Sequence, residues 1–310
     1  MNKYFQILTS ALLVLSVALF FAACDTTDNP TTPDDPDVSA PTNLKAYSDN
    51  NKIGLTWTAS TSESQTNFAT YEITVTASQT GQAVGVFNAA KGSTSYTITG
   101  LTNGTRYTAI VRSKTTKGKT STDQANIEWA PAVRNATDKN GVSIDVYATT
   151  STQPKSGVLL NGAGNLVEVV SQAQSYWKQN GDLFLYAATS SSTTLELRSP
   201  HLATNNTGDK TTQFWKNYYE VDNFDGGSAI TSPPPVGEYT DSKIDLADAS
   251  VSRSRVYFAR IQGTGTNRHT VRILVKRGAN GKLVQGSGAD RFIMLEVSLQ
   301  TDPNNPFAKK

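Results

Sequence analysis

Few residues in this chain are equipped for chemistry. It holds one cysteine, Cys24, and two histidines, His201 and His269. A lone thiol excludes a disulfide framework or a cysteine-built zinc site. The histidines lie too far apart in sequence for a helix-borne metal pair. The C-terminal half offers carboxylates at Glu168, Asp182, Glu196, Glu220 and Glu238. Glycoside hydrolysis needs two of these held roughly 5–9 Å apart, but none sits in a recognisable catalytic motif and no Gly-x-Ser-x-Gly elbow occurs. Asp222-Asn223-Phe224-Asp225-Gly226 places two acids in a loop. It fails the EF-hand spacing, because Pro233 stands where the twelfth position calls for Glu. Gly162-Ala163-Gly164 lacks the third glycine of a dinucleotide loop, which is Val167 here. The expectation is no catalysis, no cofactor and no metal.

Binding surfaces are better represented. Aromatic residues concentrate at Tyr176-Trp177 and at Phe214-Trp215 with Tyr218-Tyr219. An exposed Trp or Tyr face stacks on the apolar C–H face of a sugar ring, which makes Trp177 and Trp215 the candidate ligand-binding residues. Burial in a core is the competing reading for both. Charge is uneven as well. Acids dominate from Glu220 to Asp248, whereas Ala249 to Ala289 holds no acid and several basic residues, among them Arg253, Arg255, Arg260, Arg268, Arg272 and Lys282. The basic stretch 253–282 is either an anion-binding stripe or the neutralising partner of the acidic stretch across a sheet. The net charge of +2 is not the concentrated basic excess of a nucleic-acid binder, so no nucleic-acid partner is expected.

The elements that carry these residues begin with a leader. Lys3 and an apolar run from Ile7 to Phe21 precede Ala22-Ala23-Cys24, the layout of a signal peptide over 1–23. The stretch resembles the lipobox of bacterial lipoproteins, with Phe21 in place of the usual Leu, Val or Ile. That resemblance implies acylation of Cys24 and membrane lipid as a partner. It also implies a place in the bacterial cell envelope, at the outer membrane or cell surface. An uncleaved anchor and simple release are the alternatives. Residues 24–39 carry Asp25, Asp28, Asp34, Asp35 and Asp37 with Pro30, Pro33 and Pro36. No apolar periodicity is present to bury, so an extended acidic tether of about 45 Å is expected.

Residues 40–131 alternate in the two-residue period of strands: Ile53, Leu55 and Trp57, then Tyr71, Ile73 and Val75, then Tyr107, Ala109 and Val111. The stretch from Tyr96 to Tyr107, with Leu101 and Gly104 inside it, resembles the fibronectin type III domain. In that family Trp57 would be the core tryptophan and Leu101 the plug at the end of the core. Gly104 would permit a tight turn, and Tyr107 would make the tyrosine corner, its hydroxyl bonded back to backbone. Such domains serve as spacers, adhesion modules or accessories to polysaccharide-degrading enzymes. The lysines of loop 113–121 read as a solvated hairpin tip. No Arg-Gly-Asp tripeptide is present.

Strand-like runs continue through residues 132–310, most clearly 255–261, 271–275 and 292–297, the last two flanking Asn280-Gly281, a hairpin signal. The fold class expected is all-β: a fibronectin type III sandwich, then a second antiparallel sandwich or jelly-roll-like domain. Segment 165–179 fits a helical stripe with a capping box from Asn165 to Glu168, but its valines and the preceding glycines favour a hairpin. The functional expectation is a lipid-anchored envelope module for binding, adhesion or structure. Its partner would be a glycan or another envelope protein. A polysaccharide-active enzyme or carbohydrate-binding accessory is the alternative.

Overall fold

The protein is described by a computed structural model covering residues 35–160, 164, 166–204, 210–224, 234–263, 267–303 and 305. The leader, Cys24 and most of the expected tether lie outside the described residues. The first seven strands are β1 (Thr42–Asp49), β2 (Lys52–Thr58), β3 (Phe68–Ala77), β4 (Ala83–Ala90), β5 (Ser95–Thr99), β6 (Tyr107–Thr115) and β7 (Ala125–Trp129). They form a three-stranded sheet, β1-β2-β5, and a four-stranded sheet, β4-β3-β6-β7. Strand alternation sends Ile53, Leu55, Trp57, Tyr71, Ile73, Val75, Ile98, Ala109 and Val111 into one shared core. Leu101 is buried with them. Tyr107 buries its ring while its hydroxyl accepts the Thr102 N–H at 3.1 Å, the expected corner. In the lysine loop, Lys114 pairs with Glu72 at 2.6 Å.

Residues 38–40, expected as the end of the tether or the start of the domain, pack with the first sandwich. Val38 is 1% exposed and belongs to this core. The Ser39 carbonyl accepts hydrogen bonds from the Ser60 and Ser113 hydroxyls, and Asp123 accepts the Ala40 N–H. Val38, the buried Ala40 and these hydrogen bonds hold residues 38–40 on the domain.

Fourteen further strands follow: β8 (Val133–Asn135), β9 (Ile144–Tyr147), β10 (Gly157–Leu159), β11 (Glu168–Val170), β12 (Leu183–Tyr186), β13 (Thr194–Arg198), β14 (Thr212–Trp215), β15 (Tyr219–Val221), β16 (Tyr239–Asp241), β17 (Lys243–Ala247), β18 (Ser254–Gln262), β19 (Arg268–Val275), β20 (Val284–Gln285) and β21 (Phe292–Leu299). A nine-stranded antiparallel sheet runs β16-β14-β18-β19-β21-β20, with β15 on β18 and both β8 and β9 on β21. A five-stranded sheet runs β11-β10-β12-β13-β17. Tyr257, Ala259 and Ile261 share a core with Leu183, Leu185, Leu195 and Leu197 of the other sheet. The alternate residues Val256 and Phe258 form a separate cluster with Val221, Phe224 and Tyr239. The described residues are therefore all-β apart from short helical segments, and no helix among them is long and apolar enough to cross a membrane. Strands β19 and β21 do pair, but β20 intervenes, and the turn at Gly281 (φ +79°) serves that insertion.

Segment 165–179 divides between the two readings. Glu168 lies in β11, paired opposite Leu159 of β10, so the hairpin forms and the capping box does not. The Glu168 carboxylate instead takes Lys139 at 2.8 Å. A helix, α1 (Ser175–Asn180), then follows and carries Trp177. Trp177 packs edge-on to Phe184, centroids 5.7 Å apart. A Cβ at Gly157 or Gly181 would fall 2.5 or 2.3 Å from the indole nitrogen, so the two glycines make room for the ring.

The two sandwiches adjoin without a linker within one compact unit, 37–310. Strand β7 ends at Trp129, and β8 enters the nine-stranded sheet at Val133 by pairing with Leu299. The Gly104 N–H donates to the Pro131 carbonyl at 3.1 Å, and the buried Asn305 amide donates to the Gly104 carbonyl at 3.1 Å. Gly104 has φ +85°, and a Cβ there would lie 2.6 Å from Thr301 Oγ1. The glycine thus serves its own turn and also the approach of the C-terminal segment.

Candidate binding cleft at the sandwich edge

The structure separates the two candidate tryptophans. Trp177 is 0% exposed and offers no face to a sugar, so that assignment is withdrawn: the glycines around it exist to bury it. Trp215 is half-buried. Its indole N–H donates to Glu238 Oε2 at 2.9 Å, and its ring leans on Tyr219 at 5.4 Å and Phe258 at 6.3 Å. Phe214 points into the main core.

The five carboxylates considered as catalytic candidates each hold a partner. Glu168 takes Lys139, and Asp182 takes Lys210 at 3.1 Å together with the Leu160 N–H at 2.7 Å. Glu196 takes Lys243 and Arg198, Glu220 takes Arg255, and Glu238 takes Trp215. The basic stretch meets the acidic one in the same way: Arg253 lies 3.5 Å from Asp222, Arg255 3.6 Å from Glu220 and Lys282 2.9 Å from Asp248. Register produces the Arg255 contact, since Glu220 of β15 stands opposite Arg255 of β18. Of the loop 222–226, Asp225 and Gly226 lie outside the described residues. Among the described residues no group of three or more His, Cys, Asp or Glu could hold a metal.

A cleft opens where neither tryptophan points. At Ser242 the chain passes from β16, an edge of the nine-stranded sheet, to β17, an edge of the five-stranded sheet. Around this crossing lies a space of about 390 Å³, lined by Lys216, Tyr218, Asp241, Ser242, Lys243, Ile244, Asp245 and Tyr257. That size is within the range of small-ligand sites, about 300–1,000 Å³. A second hollow beside Trp177, about 120 Å³, is below it.

Two aromatic rings line the cleft. Tyr218 is 41% exposed and lies 5.6 Å from Tyr257, with the Arg255 guanidinium 4.0 Å over its ring. Consecutive aromatics are thus divided between the faces of β18: Trp215 and Tyr219 rest on Phe258, and Tyr218 rests on Tyr257. Lys243 Nζ reaches Glu196 at 2.8 Å and Asp245 at 3.4 Å. Burial opposes ionisation of Glu196, but hydrogen bonds from Lys243 and Arg198 outweigh it and hold its carboxyl below the ordinary range. Burial pushes the Tyr257 hydroxyl up to about 12 against the pull of Arg255, so the phenol stays protonated at neutral pH. Within the lining, two buried polar atoms make no hydrogen bond of good geometry: Asp241 Oδ2, and Tyr257 Oη, which feels the Arg255 guanidinium beside it. A buried acceptor without a donor costs about 1–3 kcal/mol, a cost that a ligand or water donor would relieve.

Sequence reasoning found Tyr218 only as part of an aromatic cluster and missed Asp241 and Tyr257. The signal available was Tyr-Thr-Asp-Ser-Lys over 239–243, a short alternation broken at its centre, and nothing in it shows a crossing between sheets.

The fibronectin type III family model matches residues 39–128, so the first sandwich is a fibronectin type III domain, a binding or structural module. Similar solved structures include the fn3 domain of human collagen alpha-1(XX) chain, 18% identical with a TM-score of 0.26, covering 31% of this chain and 86% of that one. The FN5 domain of Drosophila Lar is 22% identical with a TM-score of 0.24, covering 29% and 92%. The Clostridium perfringens spore cortex lytic enzyme SleM is 20% identical with a TM-score of 0.23, covering 29% of this chain and 28% of that one. No curated protein matches the chain. The family match stops short of the second sandwich.

Proposed function

We propose that the protein is a lipid-anchored module of the bacterial cell envelope. Acylated Cys24 would hold it on the membrane, and the second sandwich would bind a glycan without catalysis of its own. The fibronectin type III domain is the spacer or adhesive arm in this reading. The observation that carries it is the edge cleft, where an exposed Tyr218 ring adjoins two buried polar atoms that make no hydrogen bond of good geometry. An apolar wall with a few unsatisfied polar groups is the usual composition of a small-ligand site.

Two experiments test it. On a glycan array, the full-length protein should retain at least one saccharide, and Tyr218→Ala should remove that signal while Trp177, buried, plays no direct part. An array that stays blank would favour a protein partner and remove the glycan reading. Separately, Cys24→Ser should abolish acyl labelling and release the protein from the membrane fraction; unchanged labelling would defeat the anchor.

A hydrolytic reading has one observation in its favour: Asp241 and Asp245 line the same cleft, and glycoside hydrolysis uses a carboxylate pair. Release of reducing ends from a bound polysaccharide, lost in Asp241→Asn, would establish it over simple binding.

A further inference from the structure

The cleft as a glycan site leaves open which part of a sugar it reads. We infer that Asp241 is the recognition group for a neutral saccharide, accepting two adjacent hydroxyls of one sugar ring; this rests on the cleft being the glycan site.

Three features of the cleft lead there. First, Asp241 Oδ2 is buried and unpartnered, and a carboxylate oxygen in that position calls for a donor, not an acceptor. Hydroxyl-to-carboxylate hydrogen bonds are charge-assisted and among the stronger ones available. A vicinal diol presents two O–H groups side by side, which matches the two oxygens of one carboxylate. Second, Tyr257 Oη makes no hydrogen bond of good geometry, although the Arg255 guanidinium acts on it, and it can donate or accept, as a further ring hydroxyl requires. Third, the lining carries two lysines, Lys216 and Lys243, against two aspartates, Asp241 and Asp245. The cleft has no net charge to attract an ion, and a uronate or sulfate would bring a second anion against Asp241. Tyr218 supplies the apolar contact for the C–H edge of the ring.

The test titrates the full-length protein with neutral glucan, mannan and galactan hexasaccharides. Each is used intact and after periodate oxidation with borohydride reduction, which cleaves the carbon–carbon bond between vicinal hydroxyls. The proteins compared are wild type, Asp241→Asn and Tyr218→Ala. The expected result is that wild type binds at least one intact hexasaccharide, that periodate treatment abolishes this, and that Asp241→Asn weakens it roughly ten- to hundred-fold. The unliganded Asp241→Asn protein should melt close to the wild-type temperature, because the buried Asp241 Oδ2 has no hydrogen bond to lose. A residue with a merely structural role would lower it. If Asp241→Asn is poorly folded, Asp241→Ser takes its place in the titration. Should Tyr218→Ala lose binding while Asp241→Asn and the periodate-treated sugar both keep it, the diol assignment is overturned and the cleft survives. Should wild type bind none of the hexasaccharides, the glycan reading falls and the inference falls with it.

Discussion

Tyr107 and Asp241 are opposite cases at the scale of single residues. Tyr107 was legible because its neighbours constrain it: Leu101, Gly104 and the flanking alternation all point to one corner. The structure supplies the Thr102 N–H that the hydroxyl needs. Replacing it by Phe leaves the ring in place and removes that bond, so urea denaturation should show a loss of about 1 kcal/mol. Asp241 has no such neighbours in sequence. Its meaning comes from burial of one oxygen, which depends on how two sheet edges diverge. Glu196 gives a pH-dependent case. Its carboxyl is held low by Lys243 and Arg198, so the ionised form is favoured by folding. The stabilisation is present above the ordinary carboxylate range and disappears as pH falls through the depressed value. Glu196→Gln should therefore be less stable than wild type at neutral pH, and the difference should shrink as pH falls below the ordinary carboxylate range. A gap that persists in acid would mean packing, not charge, holds that residue.

For elements, alternation carried the reading and failed where two periodicities overlapped. Ile53-Leu55-Trp57 and Tyr71-Ile73-Val75 alternate cleanly because each sheet has one dry face. Between 165 and 179 a three-residue strand and a six-residue helix follow one another, so a single window mixes both periods. Trp177 was misassigned for a related reason: a tryptophan on a short polar helix looks exposed until the space made by Gly157 and Gly181 is known. Gly181→Ala should force the indole aside and cost about 1–3 kcal/mol, the usual range for overpacking, measured as a lower denaturation midpoint. An unchanged midpoint would show that the ring has slack. The same logic explains Val38, an isolated apolar residue whose burial no periodicity could announce.

Over the whole molecule, the sequence shows two sandwiches but not their junction. Gly104 and Asn305 are 201 positions apart, and no local pattern links them. The junction also includes the pairing of β8 with β21 and the approach of Thr301 to Gly104. Asn305→Ala removes the buried amide that reaches Gly104 and should cost about 1–3 kcal/mol, because the Gly104 carbonyl loses its partner. The wild type is expected to melt in a single transition, which this variant should broaden or split. A sharp, unshifted transition would show that this bond does not couple the two sandwiches.

The most direct test of the cleft is the structure of the protein with a bound neutral oligosaccharide. The account predicts a sugar ring against Tyr218, with two adjacent hydroxyls within hydrogen-bonding distance of Asp241. A sugar seated on Trp215 and Tyr219, on the opposite face of β18, would contradict it.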